Sequence, residues 1–137
     1  MATHYSQAAR RHFDDCQTLA AQQRAGNTSH LAGLAAECAL KAMLQGLGIL
    51  SLDNKGKPSS EQHRRHIDAI WGEYQTSLVG AEAKYAIDGI NPFANWRISG
   101  RYEEDSTVDF ATAEGHLSGA RKAMMVLEEA QIQGDVR

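Results

Sequence analysis

The sequence predicts an all-α protein, a helical bundle, and three observations support that prediction. Apolar residues recur every three or four positions through four long segments, which is the period of a helix with one buried face. No run of alternating apolar and polar residues is long enough to form a sheet. With 137 residues the chain can bury one core, so we expect a single domain over residues 1–137.

Composition and charge exclude several classes of protein. A net charge of −3 gives no general affinity for nucleic acid, so such binding would need a local basic patch. Cys16 and Cys38 lie in predicted helices without the spacing of a metal or redox motif, which favours free thiols in a reducing cytoplasm. The N-terminus lacks the apolar segment of a secretion signal. We therefore expect a soluble cytoplasmic protein that makes no contact with a membrane.

The first helix is predicted over residues 5–25, where apolar side chains follow the helical period. Gly26 and Asn27 are expected to end it. One of the next polar residues, Asn27, Thr28 or Ser29, would then cap the following helix.

The second helix, within residues 30–50 and ending near 46–48, is the most apolar segment of the chain. Apolar or small residues cover most of its circumference, so it should be central and contacted on several sides. Its only charges, Glu37 and Lys41, are four residues apart on a stripe that also contains Gly33. Charges inside an apolar helix need partners, and the same two charges argue against a membrane-spanning segment.

The third helix is predicted over residues 60–78. Its expected inner face has helical spacing and consists of His63, Ile67, Ile70, Trp71, Tyr74 and Leu78. Four basic or titratable residues, His63, Arg64, Arg65 and His66, would occupy its first turns, where positive charge opposes the helix dipole. That arrangement suggests an anionic group nearby.

A short helix is predicted over residues 81–87, followed by a long irregular stretch over 88–106. Irregular segments of that length in a compact domain are usually functional or disordered. Its aromatic residues Phe93, Trp96 and Tyr102 indicate that it packs against the helices.

The last helix is predicted over about 107–132, with Ser106 and Asp109 in the pattern of a capping box. Its apolar seam alternates spacings of three and four, as in helical bundles. The seam consists of Phe110, Ala113, Leu117, Ala120, Met124 and Leu127.

The order of these segments resembles HEPN domains over roughly residues 5–130. The resemblance rests on LAGLAAECALKAML at 31–44, on HIDAIW at 66–71, and on Trp96 followed by Arg101 and Tyr102. It is greatest to the branch with an A-x-E-x-A-L-K helix and a W…RY segment. The resemblance implies an up-down bundle of four or five helices, usually a homodimer, from a prokaryotic toxin–antitoxin or defence system. Many members cut RNA without a metal, and others accompany a nucleotidyltransferase as an antitoxin or substrate-binding partner.

The sequence departs from the family's ribonucleases at the catalytic motif, an Arg followed after four to six residues by a His near the start of the last long helix. Arg97 and Arg101 have no His at that distance, and His116 is too far along the chain. The spacing does occur between Arg24 and His30, but at the turn between the first two helices. A spacing rule this loose finds chance matches easily among six histidines.

Two interpretations of Glu37 and Lys41 stay open. In the structural interpretation, Glu37 pairs with Lys41 or bonds an arginine from the long loop. In the functional interpretation, Glu37 orients Arg97 or Arg101 in a dimer cleft.

The role of the aromatic residues of the loop also has two interpretations. Trp96 and Tyr102 fill a groove between helices, or they join the arginines in binding a phosphate or a base. The predicted binding residues are Glu37, Lys41, Arg65, Trp96, Arg97 and Tyr102.

Three functions follow from these candidates. The leading one is a HEPN-like RNA- or nucleotide-binding protein, or a partner-binding subunit, without the usual nuclease motif. The second is a metal-independent RNA endonuclease in which Arg101 stabilises phosphate charge and His66 transfers protons. The third is a structural adaptor. We predict no cofactor and no metal site, since His63 and His66 lack a matching Glu-x-x-His helix, and no serine or cysteine has a recognisable base in the sequence.

Overall fold

The second helix lies at the centre of the fold in a computed structural model that describes residues 3–104 and 107–137. The described residues form four α-helices: α1 (Tyr5–Ala21), α2 (Ala25–Gly46), α3 (Ile67–Ser77) and α4 (Phe110–Gln133). One 3-10 helix, Glu61–Arg64, lies between α2 and α3, and two more, Gly80–Tyr85 and Ile98–Tyr102, lie between α3 and α4. The described residues contain no β-strand. The prediction of an all-α bundle of four to five helices is thus confirmed.

Helix α2 packs against α1, α3, α4 and the last 3-10 helix, as its apolar circumference predicts. The residues that make these contacts are small or aliphatic, so neighbouring backbones approach closely on several sides. Ala32, Ala35, Ala36, Ala39, Leu40, Met43 and Leu44 are fully buried. None of the helices in the described ranges is both long enough and apolar enough to cross a membrane.

The turn between α1 and α2 is shorter than predicted. Gln23 adopts a left-handed backbone conformation with φ 58°, and this reverses the chain within the three residues that separate the helices. Helix α2 therefore starts at Ala25, and the expected caps Asn27, Thr28 and Ser29 are wrong because all three lie inside the helix. Thr28 and Ser29 are buried there, which leaves their side chains for tertiary contacts.

The predicted third helix is broken at Arg65 and His66, where the backbone is extended. A 3-10 helix precedes the break, and α3 starts only at Ile67. The first turn of α3 carries Asp68, which favours the helix dipole, so the predicted basic first turn is wrong. The predicted inner face is confirmed, since all six of its residues are buried.

The segment between α3 and α4 differs in detail from its prediction. The short helix expected over 81–87 is a 3-10 helix at Gly80–Tyr85. Within the long irregular stretch, Phe93 and Trp96 are buried, whereas Tyr102 is 78% exposed, so only two of the three aromatic rings pack against the helices.

Helix α4 begins at Phe110, with Asp109 as its N-cap. The Asp109 carboxylate accepts a hydrogen bond of 2.7 Å from the Thr112 backbone N–H. Ser106, the other half of the predicted capping box, lies outside the described residues. The apolar seam faces the core, where Ala113, Ala120, Met124 and Leu127 are buried and Phe110 and Leu117 are half-buried.

Candidate functional site

One face of α2 carries a row of residues spaced four apart, which we call the α2 stripe: Ser29, Gly33, Glu37 and Lys41. Residues at this spacing lie one above the other on a helix surface. All four are buried, although three are polar or charged. The groups that cover and satisfy them come from the loop around Trp96 and from the start of α3.

Trp96 covers the upper part of the stripe. A Cβ atom at Gly33 would lie only 2.1 Å from the indole Cε2, so the ring occupies the space that a larger residue would need. The indole Nε1–H donates a 2.9 Å hydrogen bond to the backbone carbonyl of Ser29. Glycine in the middle of α2 therefore has a packing role, because it lets the loop close directly onto the helix.

Glu37 lies at the centre of the stripe and accepts two hydrogen bonds. Lys41 Nζ donates to one carboxylate oxygen at 3.2 Å, and His66 Nδ1 lies 2.9 Å from the other. The side chains of Glu37 and Lys41 are 12% and 8% exposed, whereas that of His66 is 45% exposed. The pair with Lys41, one of the predicted alternatives, is present. The other carboxylate oxygen bonds His66 and not an arginine of the long loop, because the break before α3 brings His66 to it.

The bond to Glu37 fixes the orientation of the His66 ring. A carboxylate oxygen accepts, so Nδ1 of His66 carries the hydrogen, and in the neutral ring Nε2 keeps a free lone pair. Because the ring is about half exposed, this second nitrogen can exchange a proton with a bound molecule. A carboxylate that holds an imidazole in one tautomer is a common arrangement for a general base.

Trp96 also brings two histidines to one area of the surface. His30 stacks on the indole with ring centroids 6.0 Å apart, and His66 lies tilted at 6.5 Å. Burial lowers the pKa of His30, and the positive charge of Arg101 lowers that pKa further. The charge of Arg101 is thus felt at the His30 edge of this area.

The predicted cations of the loop have different partners. The Arg97 guanidinium donates to the carbonyls of Trp96 (2.9 Å) and Ala94 (3.2 Å), and lies 3.8 Å from the Asp68 carboxylate. The Arg101 guanidinium lies 4.8 Å above the centre of the Tyr102 ring, a cation–π geometry.

We refer to the exposed residues on Trp96 and on the segments that flank its partners as the Trp96 surface: Arg65, His66, Arg97, Arg101 and Tyr102. His66 and Arg97 contact Trp96 directly, and Arg65 adjoins His66 in sequence. Arg101 and Tyr102 belong to the 3-10 helix that begins next to Arg97. Trp96 itself is buried and offers no face to a nucleotide base, so Tyr102 is the aromatic side chain available for stacking.

A second polar cluster joins Ser29 to α4 and was not predicted. His116 Nδ1 lies 2.5 Å from Ser29 Oγ, and its Nε2 lies 2.8 Å from Asn95 Oδ1. The ring also stacks on Phe93 with centroids 5.4 Å apart, and burial lowers the pKa of His116. Ser29 and His116 are 87 positions apart, so no local spacing in the sequence could connect them.

The two cysteines are shielded from solvent, Cys16 fully and Cys38 in part. Burial raises the pKa of Cys16 to about 11 and that of Cys38 to about 12, so both remain protonated thiols at neutral pH. Across residues 3–104 and 107–137, no three His, Cys, Asp or Glu side chains are grouped to hold a metal ion.

Comparison of the chain with protein-family models, with curated proteins and with solved structures found no match. The likeness to HEPN domains therefore remains a resemblance, based on the motif at 31–44, the HIDAIW segment and the W…RY segment.

Proposed function

We propose that the protein is a HEPN-like component of a prokaryotic toxin–antitoxin or defence module that binds RNA or nucleotides through the Trp96 surface. The observation that carries the proposal is the exposed Tyr102 ring with the Arg101 guanidinium stacked on it at 4.8 Å. In keeping with the resemblance, we place the protein in the cytoplasm as a homodimer whose partner is a nucleotidyltransferase or an antitoxin.

The chemistry of the Trp96 surface suits a single-stranded nucleic acid. An exposed aromatic ring stacks a base of any identity, and arginine binds phosphate through a planar fork of donors. The net charge of −3 means that attraction must come from this local group of arginines and not from the protein as a whole. Binding should therefore weaken steeply as salt is raised.

Fluorescence anisotropy with a labelled single-stranded RNA, without added metal, tests the proposal. We expect Arg101→Ala and Tyr102→Ala each to weaken binding about tenfold, the effect of losing one stacked base or one phosphate contact. Arg121→Ala, which removes an exposed arginine on α4, is the matched control and should bind as the wild type does. Equal affinity of all four proteins would refute the assignment of the Trp96 surface.

Metal-independent cleavage of RNA is the second candidate, and the Glu37–His66 hydrogen bond favours it. His66 Nε2 would accept the proton of a ribose 2′-hydroxyl, and Arg101 would stabilise the charge that develops on the phosphate. Denaturing gels of wild type and His66→Gln test this step: His66→Gln should abolish cleavage, while its loss of RNA affinity should be smaller than that of Arg101→Ala. Cleavage lost only in Arg24→Ala would instead place the site at His30.

The structural adaptor remains a third alternative with a different expected outcome. An adaptor would bind no RNA at physiological salt and would still capture its protein partner after Arg97 and Arg101 are replaced by alanine. RNA binding that depends on Arg101 would exclude it as the whole function.

A further inference from the structure

A cavity of about 160 Å³ lies between the start of α2, the loop that follows Phe93, and the start of α4. Ser29, Asn95 and His116, the three members of the second polar cluster, all contribute to its wall. The cavity therefore places a hydroxyl group, an imidazole and an amide around one space that opens to solvent beside Arg97.

Hydrogen bonding fixes the roles of these three side chains. Asn95 Oδ1 can only accept, so His116 Nε2, 2.8 Å away, carries the ring hydrogen. His116 Nδ1 then has a lone pair, and the Ser29 hydroxyl donates to it across 2.5 Å. A serine that donates to a histidine whose other nitrogen is held by a third residue is the arrangement of an activated nucleophile.

The surroundings keep the histidine in the state that a base requires. His116 is 3% exposed and Ser29 is 4% exposed, so bulk water does not compete for their hydrogen bond. Burial lowers the pKa of His116 below its ordinary value, which leaves the ring neutral at pH 7. The Phe93 ring stacked on His116 limits its rotation.

The start of α2 offers donors for the charge that develops during acyl transfer. The first backbone hydrogen bond of the helix runs from Thr28 N–H to the Arg24 carbonyl at 2.9 Å, and α2 has no side-chain cap. The N–H groups of Gly26 and Asn27 therefore have no acceptor within the helix. Gly26 forms part of the cavity wall, so its N–H is the candidate donor for an oxyanion.

We propose that Ser29 is the nucleophile of an acyl-transfer site, with His116 as its general base and Asn95 as the residue that positions the ring, and that the site takes esters of short, uncharged acyl groups. The size of the cavity sets the acyl length, because typical ligand pockets are larger, at ~300–1,000 Å³. The charges of the wall set the type of acyl group. Among the described residues the wall contains one arginine and one carboxylate, Arg97 and Glu103, and these opposite charges favour an uncharged acyl group.

The reaction proceeds in two balanced steps. Ser29 Oγ attacks the ester carbonyl carbon while its proton passes to His116 Nδ1, and that proton then moves to the leaving alcohol oxygen as the C–O bond breaks. The product is an acyl-serine and a free alcohol. Water next attacks the acyl carbon, gives its proton to His116, and releases the carboxylic acid as the proton returns to Ser29 Oγ.

The test uses the full chain and p-nitrophenyl acetate, with intact mass and peptide mapping as readouts. In samples quenched with acid before the acyl-serine is hydrolysed, we expect one acetyl group per chain, located on Ser29, and none in Ser29→Ala. Ser118→Ala, at an exposed serine of α4, is the matched control and should be acetylated as the wild type is. Acetyl groups found only on lysines or the N-terminal amine of the folded wild type would overturn the proposal.

Asn95 supplies a second variant that does not depend on the buried serine, because Asn95 itself is exposed. Asn95→Ala removes the acceptor on His116 Nε2 and should slow acetylation of Ser29 about tenfold or more. Asn95→Asp keeps an oxygen acceptor and should restore the rate. Acetylation of Ser29 at the same rate in wild type and Asn95→Ala would rule out the assigned role of the histidine tautomer.

Discussion

At the scale of single residues, Glu37 explains why a charge is tolerated inside the most apolar helix of the protein. A buried carboxylate is costly unless it is paired and hydrogen-bonded, and Glu37 has both a cation and an imidazole donor. Lys41 is equally buried, so each of the two charges depends on the other. The attraction between the two charges mainly offsets the cost of burying them, and loss of one partner leaves the other as an isolated buried charge.

We therefore expect Glu37→Ala to lower the free energy of unfolding by about 3 kcal/mol, because Lys41 would remain buried without a counter-charge. Urea denaturation followed by circular dichroism measures the effect. Glu128→Ala is the matched control: it breaks the exposed pair with Arg10 and should cost less than ~1 kcal/mol. Similar losses in both variants would show that the Glu37 pair behaves as a surface salt bridge.

At the scale of elements, the contact between α2 and the long loop depends on the absence of a side chain at Gly33. Trp96 lies where a Cβ atom would be, and its indole donates to Ser29 on the same face of the helix. This close contact positions Arg97 and the following 3-10 helix with Arg101. Together with the buried Phe93, the Trp96 ring anchors the loop, and the positions of Arg97 and Arg101 depend on that anchor.

Gly33→Ala should destabilise the protein by about 2 kcal/mol, since the methyl group overlaps the Trp96 ring and forces it outward. Gly115→Ala in α4 is the control, because no atom lies within 4 Å of its added Cβ, and it should stabilise the protein by ~0.5–1 kcal/mol. Thermal unfolding compares the two, and tryptophan emission reports exposure of the indole. Stabilisation of equal size in both variants would refute the packing role of Gly33.

The elements also show what the sequence can predict. The central helix and the seam of α4 were predictable because burial imposes a period of three to four on apolar residues. The break at Arg65 was not, because His63 and Ile67 preserve that period across it. The pair formed by Ser29 and His116 was also beyond reach, since two helices and a loop bring together residues 87 positions apart.

In the candidate site too, the local pattern was predictable from the sequence, whereas the contacts between distant residues were not. The sequence singles out Glu37 and Lys41 because charges are rare in so apolar a helix, and their spacing predicts the bond between them. It does not identify the partner of Glu37, because His66 reaches the carboxylate only through the break before α3. The exposure of Tyr102 and the burial of Trp96 likewise depend on how the loop closes on Gly33.

At the scale of the whole molecule, the bundle brings three distant parts of the chain to the α2 stripe. The start of α3 contributes His66, the loop contributes Trp96 with its flanking arginines, and α4 contributes His116. The exposed side of this assembly carries cations and the Tyr102 ring, and the buried side carries the hydrogen bond between Ser29 and His116. One helix face thus supports the two proposed sites, and RNA is proposed to bind on the exposed one.

Ultraviolet cross-linking of the bound RNA, followed by peptide mapping, tests whether RNA binds at the Trp96 surface. An aromatic ring that stacks on a base is well placed for a zero-length cross-link, so we expect the major cross-linked peptide to contain Tyr102 and the cross-link to be lost in Tyr102→Ala. Arg121→Ala should leave the cross-link unchanged. Cross-links confined to α1 or α4, on a protein that binds RNA, would contradict binding at the Trp96 surface and place the nucleic-acid surface on another face of the bundle.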